Sequence, residues 1–246
     1  AQNSMGYESD ESEALVVKLD KTTPTFTLSQ SLTDVTNEDY TVNIENLVYS
    51  VSGLKTVEVN GVDFGSDALS LIVQRNGEYV VKITANNGLY SEQTLEINNI
   101  DKEVPGITDI VLTQEPTESP ERHLDGEFGH YYSADLVANA TAEDSGVAGI
   151  DYIKYRLVGA DYTPVSDWTT ITDDVRAICD RNFKGYFEFV AVDKAGNESS
   201  SYYSDGFVRD NAKPVITTLN AICGEDGDEY IAGDWADDIV YFTPEA

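Results

Sequence analysis

The sequence predicts an all-β chain of sandwich-type units in tandem, on three observations. First, one strand is written twice. Gly185 to Asn197 reads GYFEFVAVDKAGN, and Gly77 to Gly88 reads GEYVVKITANNG. In both copies a glycine opens the strand and another follows eleven residues later, so Tyr79, Val81 and Ile83 fall on Phe187, Phe189 and Ala191. Alternate residues of a strand share a face, so this is one buried face in two copies. Second, a border recurs as DKTTPTF at Asp20, DKEVPGI at Asp101 and DNAKPVI at Asp210. Third, short Val-, Thr-, Tyr- and Ile-rich runs alternate with glycine turns, and no stretch has the period of an amphipathic helix.

Taken in order, Ala1 to Asp10 is polar and frayed. Ala14 to Leu19, ALVVKL, reads as a strand running into the first border. At each border the proline fixes φ and blocks ladder pairing, and the residue before it is pushed extended. A border therefore ends one sheet and aims the next. The three copies lie 81 and 109 residues apart and set the units. Residues 1–21 form a polar N-terminus and the last strand of a preceding repeat, 22–102 a first unit, 103–211 a second with longer loops, and 212–246 the start of another. Asp39-Tyr40-Thr41-Val42, Asp135-Leu136-Val137-Ala138 and Asp238-Ile239-Val240-Tyr241 each open a strand, with Val35, Tyr132 and Trp235 a few places earlier. Ser52-Gly53 and Ser145-Gly146 are read as matching turns, followed by strands at Thr56–Val59 and Ile150–Leu157.

The chain has 246 residues, 41% of them apolar, enough for real cores. It carries 45 acidic and 15 basic residues, a net charge of −30. Such a surface repels phosphate, which excludes nucleic acid and anionic membrane as partners. No run reaches the ~18 apolar residues of a membrane span, so no direct membrane insertion is expected in this segment. Two cysteines make no disulfide framework; Cys179 and Cys223 are either paired in an oxidising compartment or buried thiols.

The borders and the Ala-Gly-Asn hairpin resemble the bacterial immunoglobulin-like (Big-type) repeats of secreted and cell-surface proteins. The second unit carries the likeness through Asp144-Ser145-Gly146, Asp193-Lys194-Ala195-Gly196-Asn197 and the border from Asp210 to Pro214. The last segment adds Trp235 and Asp238, while the first unit departs at Asn86-Asn87-Gly88-Leu89. The resemblance implies tandem immunoglobulin-like β-sandwich domains in an extracellular protein, secreted or attached to the cell wall. It implies no catalysis: a stalk or adhesive module, with neighbouring repeats, a glycan or a host surface protein as partners. The alternative is a set of accessory modules on a secreted carbohydrate-active enzyme.

In such a sandwich the loops carrying Asp144, Asp193 and Asn197 share one end. Their matching positions in the first unit read as Val51, Ala85 and Leu89, an expected apolar plug. An oxygen cluster of this kind either caps tight turns or holds calcium, the one cofactor the sequence suggests. Asp20, Asp101 with Glu103, and Asp210 form a separate set of border carboxylates. Gly224 to Asp238 is an acidic loop without the spacing of a calcium loop. His123 and His130 flank Asp125 and Glu127 in another acidic loop and are read as exposed. Trp168, Tyr162, Tyr202 and Tyr203 are the candidate sugar-stacking aromatics. Lys82 and Lys154 are the lysines that an isopeptide crosslink would use. G-x-S-x-G, H-E-x-x-H and the phosphate-cradling G-x-x-x-x-G-K-[ST] are absent from the sequence.

Overall fold

The computed structural model describes residues 1–224, 228–229 and 239–245. Trp235, Asp238 and most of the acidic loop after Gly224 lie outside them. The described residues form strands and no helix, in two compact units.

The first unit comprises Ala1–Gly106, Ala142–Asp151 and Ala191–Ser199. Its strands are β1 (Thr25–Gln30), β2 (Tyr40–Val48), β3 (Leu54–Val59), β4 (Val62–Asp63), β5 (Ser70–Val73), β6 (Gly77–Ala85) and β7 (Tyr90–Ile97). They pair antiparallel as one sheet in the order β1-β2-β5 and another in the order β4-β3-β6-β7. Asn60 and Gly61 join β3 to β4 with φ of 49° and 80°, the left-handed pair a two-residue hairpin needs. Phe26 of β1 packs with Val57, Val59, Val81 and Ile83 of the other sheet. Tyr40, Val42 and Val73 cluster with Ile97 and Ile100. Inward residues from both sheets thus close one core, the defining feature of a sandwich.

The second unit comprises Ile107–Thr141, Tyr152–Val190 and Ser200–Ala246. The strands continue as β8 (Gly106–Glu115), β9 (Glu121–His123), β10 (His130–Tyr132), β11 (Asp135–Glu143), β12 (Ile150–Gly159), β13 (Thr169–Thr170) and β14 (Ala177–Cys179). They end with β15 (Phe183–Asp193), β16 (Tyr202–Tyr203), β17 (Phe207–Arg209), β18 (Thr218–Cys223), β19 (Asp228–Glu229) and β20 (Val240–Glu245). One sheet runs β14-β11-β8, a larger one β13-β12-β15-β17-β10-β9 with β16 added to β15, and a small one β19-β18-β20. Phe187 stacks on Phe207 at 5.2 Å, and both are fully buried with Phe189, Leu136 and Cys179. Together they bring side chains of both larger sheets into the core.

The two copied hairpins have the same hydrogen bonds. Gly88 N–H donates to Ala85 O and Ala85 N–H to Leu89 O; Gly196 N–H donates to Asp193 O and Asp193 N–H to Asn197 O. The two glycines have φ of 83° and 90°. The left-handed turn explains why glycine ends each copy.

Two sequence expectations change. Ala14–Leu19 forms no strand here; Leu15, Val16, Val17 and Leu19 are exposed, because a ladder requires a neighbour and none is supplied. The turns also match differently. Asn86 N–H donates to Gly53 O and Lys194 N–H donates to Gly149 O. Gly53 therefore corresponds to Gly149, and Ser50 to Gly146, so Val51 matches Val147 and not Asp144. No disulfide joins Cys179 and Cys223.

Candidate functional site

Inside the first unit, Asp101 is set by its backbone. Its N–H donates to Thr36 O (2.8 Å). The neighbouring residues are pinned by Tyr40 O–H donating to Asn99 Oδ1 (2.9 Å) and Ile100 N–H to Asn76 Oδ1 (2.9 Å). Asp144 and Asp193 reach it from the segments 142–151 and 191–199. One oxygen from each of the three carboxylates lies within 4.8 Å of the others. Asp101 and Asp193 are 2% and 1% exposed.

Each carboxylate is held by amides. Asp101 accepts from Glu103 N–H (3.0 Å) and Ala148 N–H (2.6 Å). Asp144 accepts from Gly146 N–H (3.0 Å) and Gly149 N–H (2.8 Å). Asp193 accepts from Asn197 N–H (2.8 Å) and Asn197 Nδ2 (2.8 Å). Among the described residues none of the three is paired with a lysine or arginine; Lys102 pairs with Asp39. Every carboxylate oxygen keeps a lone pair beyond its one donor. Asn197, expected as an oxygen ligand, uses its amide nitrogen, which also donates to Asp101 O (3.0 Å). It ties the hairpin to the border and aims Asp193.

The first border has a single carboxylate, Asp20, where the second gathers three. The Ser50 hydroxyl donates to Asp20, as does Thr22 N–H (2.9 Å). Asn87 Nδ2 donates to Thr22 O (2.9 Å). The Ser50 hydrogen bond is the main reason the Asp20 carboxyl lies well below the usual carboxylate range. The expected apolar plug is absent: Val51 is fully exposed, and only Ala85 of its three members is buried. Hydroxyl and amide groups fill the place instead.

In the second unit, Tyr162 occupies the tip of a turn with φ 62°, a left-handed value that is strained for a bulky aromatic residue. The turn is closed by Tyr162 N–H to Gly159 O (2.9 Å), Gly159 N–H to Thr163 O (2.8 Å) and Thr163 N–H to Asp161 Oδ1 (3.1 Å). The Tyr162 ring stacks on Tyr186 at 4.7 Å and 10°, with Tyr203 edge-on at 5.0 Å. Tyr186, absent from the sequence candidates, is buried and donates its hydroxyl to Glu127. Burial first, then Glu127 and Tyr162, pushes the Tyr186 phenol far above its ordinary pKa.

Trp168 is half-buried under cations, Arg156 4.4 Å and Lys154 5.4 Å from its ring centroid. Arg156 Nε donates to Glu188, which also accepts from Ser201 Oγ (2.6 Å) and Tyr203 O–H (3.2 Å). Burial raises the Glu188 pKa, but Arg156 and Ser201 outweigh it and the carboxyl ends below its ordinary value. Tyr202 is exposed and makes no ring contact among the described residues. Of the four candidate aromatics, the fold gathers Tyr162 and Tyr203 and links Trp168 to them through Arg156 and Glu188. Lys82 Nζ lies over the Tyr90 ring at 4.4 Å.

No protein-family profile matches the chain. No curated protein matches it. Among solved structures the chain is similar to the fibronectin(III)-like modules of CbhA from Clostridium thermocellum, at 14% identity over 75% of this chain and 93% of that one, with a TM-score of 0.30.

Proposed function

We propose that the chain is a non-catalytic repeat segment of a bacterial extracellular or cell-surface protein, a stalk or adhesive array. Its repeats span 22–102 and 103–211. The observation that supports this reading most is a similar clasp at two borders. Each border aspartate, Asp20 or Asp101, accepts the backbone N–H two residues on, and its segment is held by an asparagine from a different position of the neighbouring hairpin, Asn87 or Asn197. Repetition supplies reach, because each sandwich buries its own core. The charge of −30 keeps neighbouring arrays apart.

In this reading calcium, a hard cation that takes carboxylate oxygens, sits among Asp101, Asp144 and Asp193 and links three segments distant in sequence. Calcium titration by calorimetry tests it. One ion bound by the native chain and none by Asp193→Asn supports the metal; no heat and no change of Tm in chelator refutes it. Electron microscopy of the full-length protein tests the array, which requires a rod whose length grows with repeat number.

Tyr162 favours a second reading, an accessory module that binds carbohydrate. The residue is 49% exposed, with its ring stacked on Tyr186 and backed by Tyr203. A flat aromatic face held rigid suits the C–H face of a sugar ring. A glycan array probed with the native chain and Tyr162→Ala decides it: binding lost in the variant supports the module, and a blank array removes it.

A further inference from the structure

The β9–β10 hairpin carries a constellation that neither reading uses. His123 and His130 are direct cross-strand partners, and their rings meet edge to face with centroids 4.5 Å apart. Glu121 precedes His123 by two residues and so shares its face; its Oε1 lies 3.4 Å from His123 Nε2. Tyr132 stands opposite Glu121, buried, its ring centroid 6.1 Å from that of His123.

The hairpin is fixed on both sides. β10 also pairs with β17, placing His130 beside Phe207. The loop closes by Leu124 N–H to Gly129 O (2.8 Å) and Gly129 N–H to Gly126 O (3.0 Å). A Cβ on Gly129 would lie 1.8 Å from Leu124 O, so glycine alone allows this closure. Gln114, 3% exposed, sends Nε2 to Ser119 O and toward Glu121 Oε2 at 3.5 Å, while its Oε1 has no partner among the described residues. Glu121 is therefore oriented from behind.

We propose that His123, His130 and Glu121 form a chelating site for a borderline divalent transition metal, with Zn2+ or Ni2+ the natural probe. Directly opposed residues of an antiparallel pair have Cβ atoms about 4.5–5.5 Å apart, within reach of two imidazoles converging on one ion at about 2.0–2.1 Å. The Glu121 carboxylate, beside His123, supplies a third ligand when these exposed side chains turn onto the ion, giving the two-histidine, one-carboxylate set that divalent transition metals take, with the remaining positions left to solvent. Asp125 and Glu127 in the connecting loop, and the overall charge of −30, raise the local cation concentration. Imidazole nitrogen separates this site from the all-oxygen cluster at Asp101, which suits a harder ion.

The chain has 2 histidines, so their side-chain NMR signals report the site directly. Zn2+ titrated into the whole chain at neutral pH shifts both imidazoles together and saturates at one ion per chain at that site. His123→Ala and His130→Ala each weaken uptake at least about tenfold, comparable to losses seen when a metal site is disturbed. Acidification to pH 5 releases the metal, because ligation requires neutral imidazole. Histidine signals that stay still while Zn2+ is taken up, or an isotherm unchanged in both variants, overturn the proposal and place the metal on carboxylates alone.

Discussion

Gly146 lies against the carboxylate of Asp101 so closely that a Cβ built on it would sit 2.2 Å from both oxygens. At the corresponding turn after β2, Ser50 fills the same space with a hydroxyl donated to Asp20. One border is closed by a side chain. The other leaves the side chain out, so that three carboxylates can meet.

Gly146→Ala forces a methyl into a buried, hydrogen-bonded carboxylate. The expected cost is about 1–3 kcal/mol, the usual penalty of overpacking. Ser50→Ala only removes a donor and lowers Tm less. Thermal unfolding of the two variants side by side checks the order.

Asp144→Asn should remove the response to calcium. In chelator the variant melts close to the native chain, because relief of carboxylate crowding is offset by one backbone N–H that loses its acceptor. With calcium at a hundred times its dissociation constant, the native chain gains about 2.7 kcal/mol and the variant almost nothing. Differential scanning fluorimetry in both buffers reads the gap that calcium opens.

Arg156→Met strands Glu188, which is 2% exposed. Removing one partner of such a pair costs about 3 kcal/mol. The depressed Glu188 pKa fixes the pH window. A carboxyl with a lowered folded pKa adds stability above its unfolded value, about 4.3, and loses it as pH falls through the folded value. Urea unfolding at pH 7 and pH 3 should show the native–variant gap shrink in acid.

Tyr186 has a raised pKa, so its contribution is complete below the unfolded tyrosine value of about 10 and fades as pH rises through the folded one. Tyr162→Ala uncovers its ring and brings that titration down. Ultraviolet titration of tyrosinate follows the change.

Much of the architecture is written locally. The faces of β6 and β15 follow from two-residue alternation. The Asp101 site is not local: Ala148 N–H reaches it across 47 residues and Asn197 Nδ2 across 96. The letters Ser-Gly at 145–146 also mislead, since the left-handed glycine is Gly149, φ 69°. Tyr186 escapes the alternation rule because β15 is buried on both faces.

Cys179 has a practical use. Its thiol is wholly enclosed, its Sγ is 3.5 Å from Arg181 O, and burial pushes its pKa upward. An alkylating reagent needs an accessible thiolate, so modification at this sulfur waits for the surrounding sandwich to open. Its labelling rate is an intrinsic clock for how often that happens.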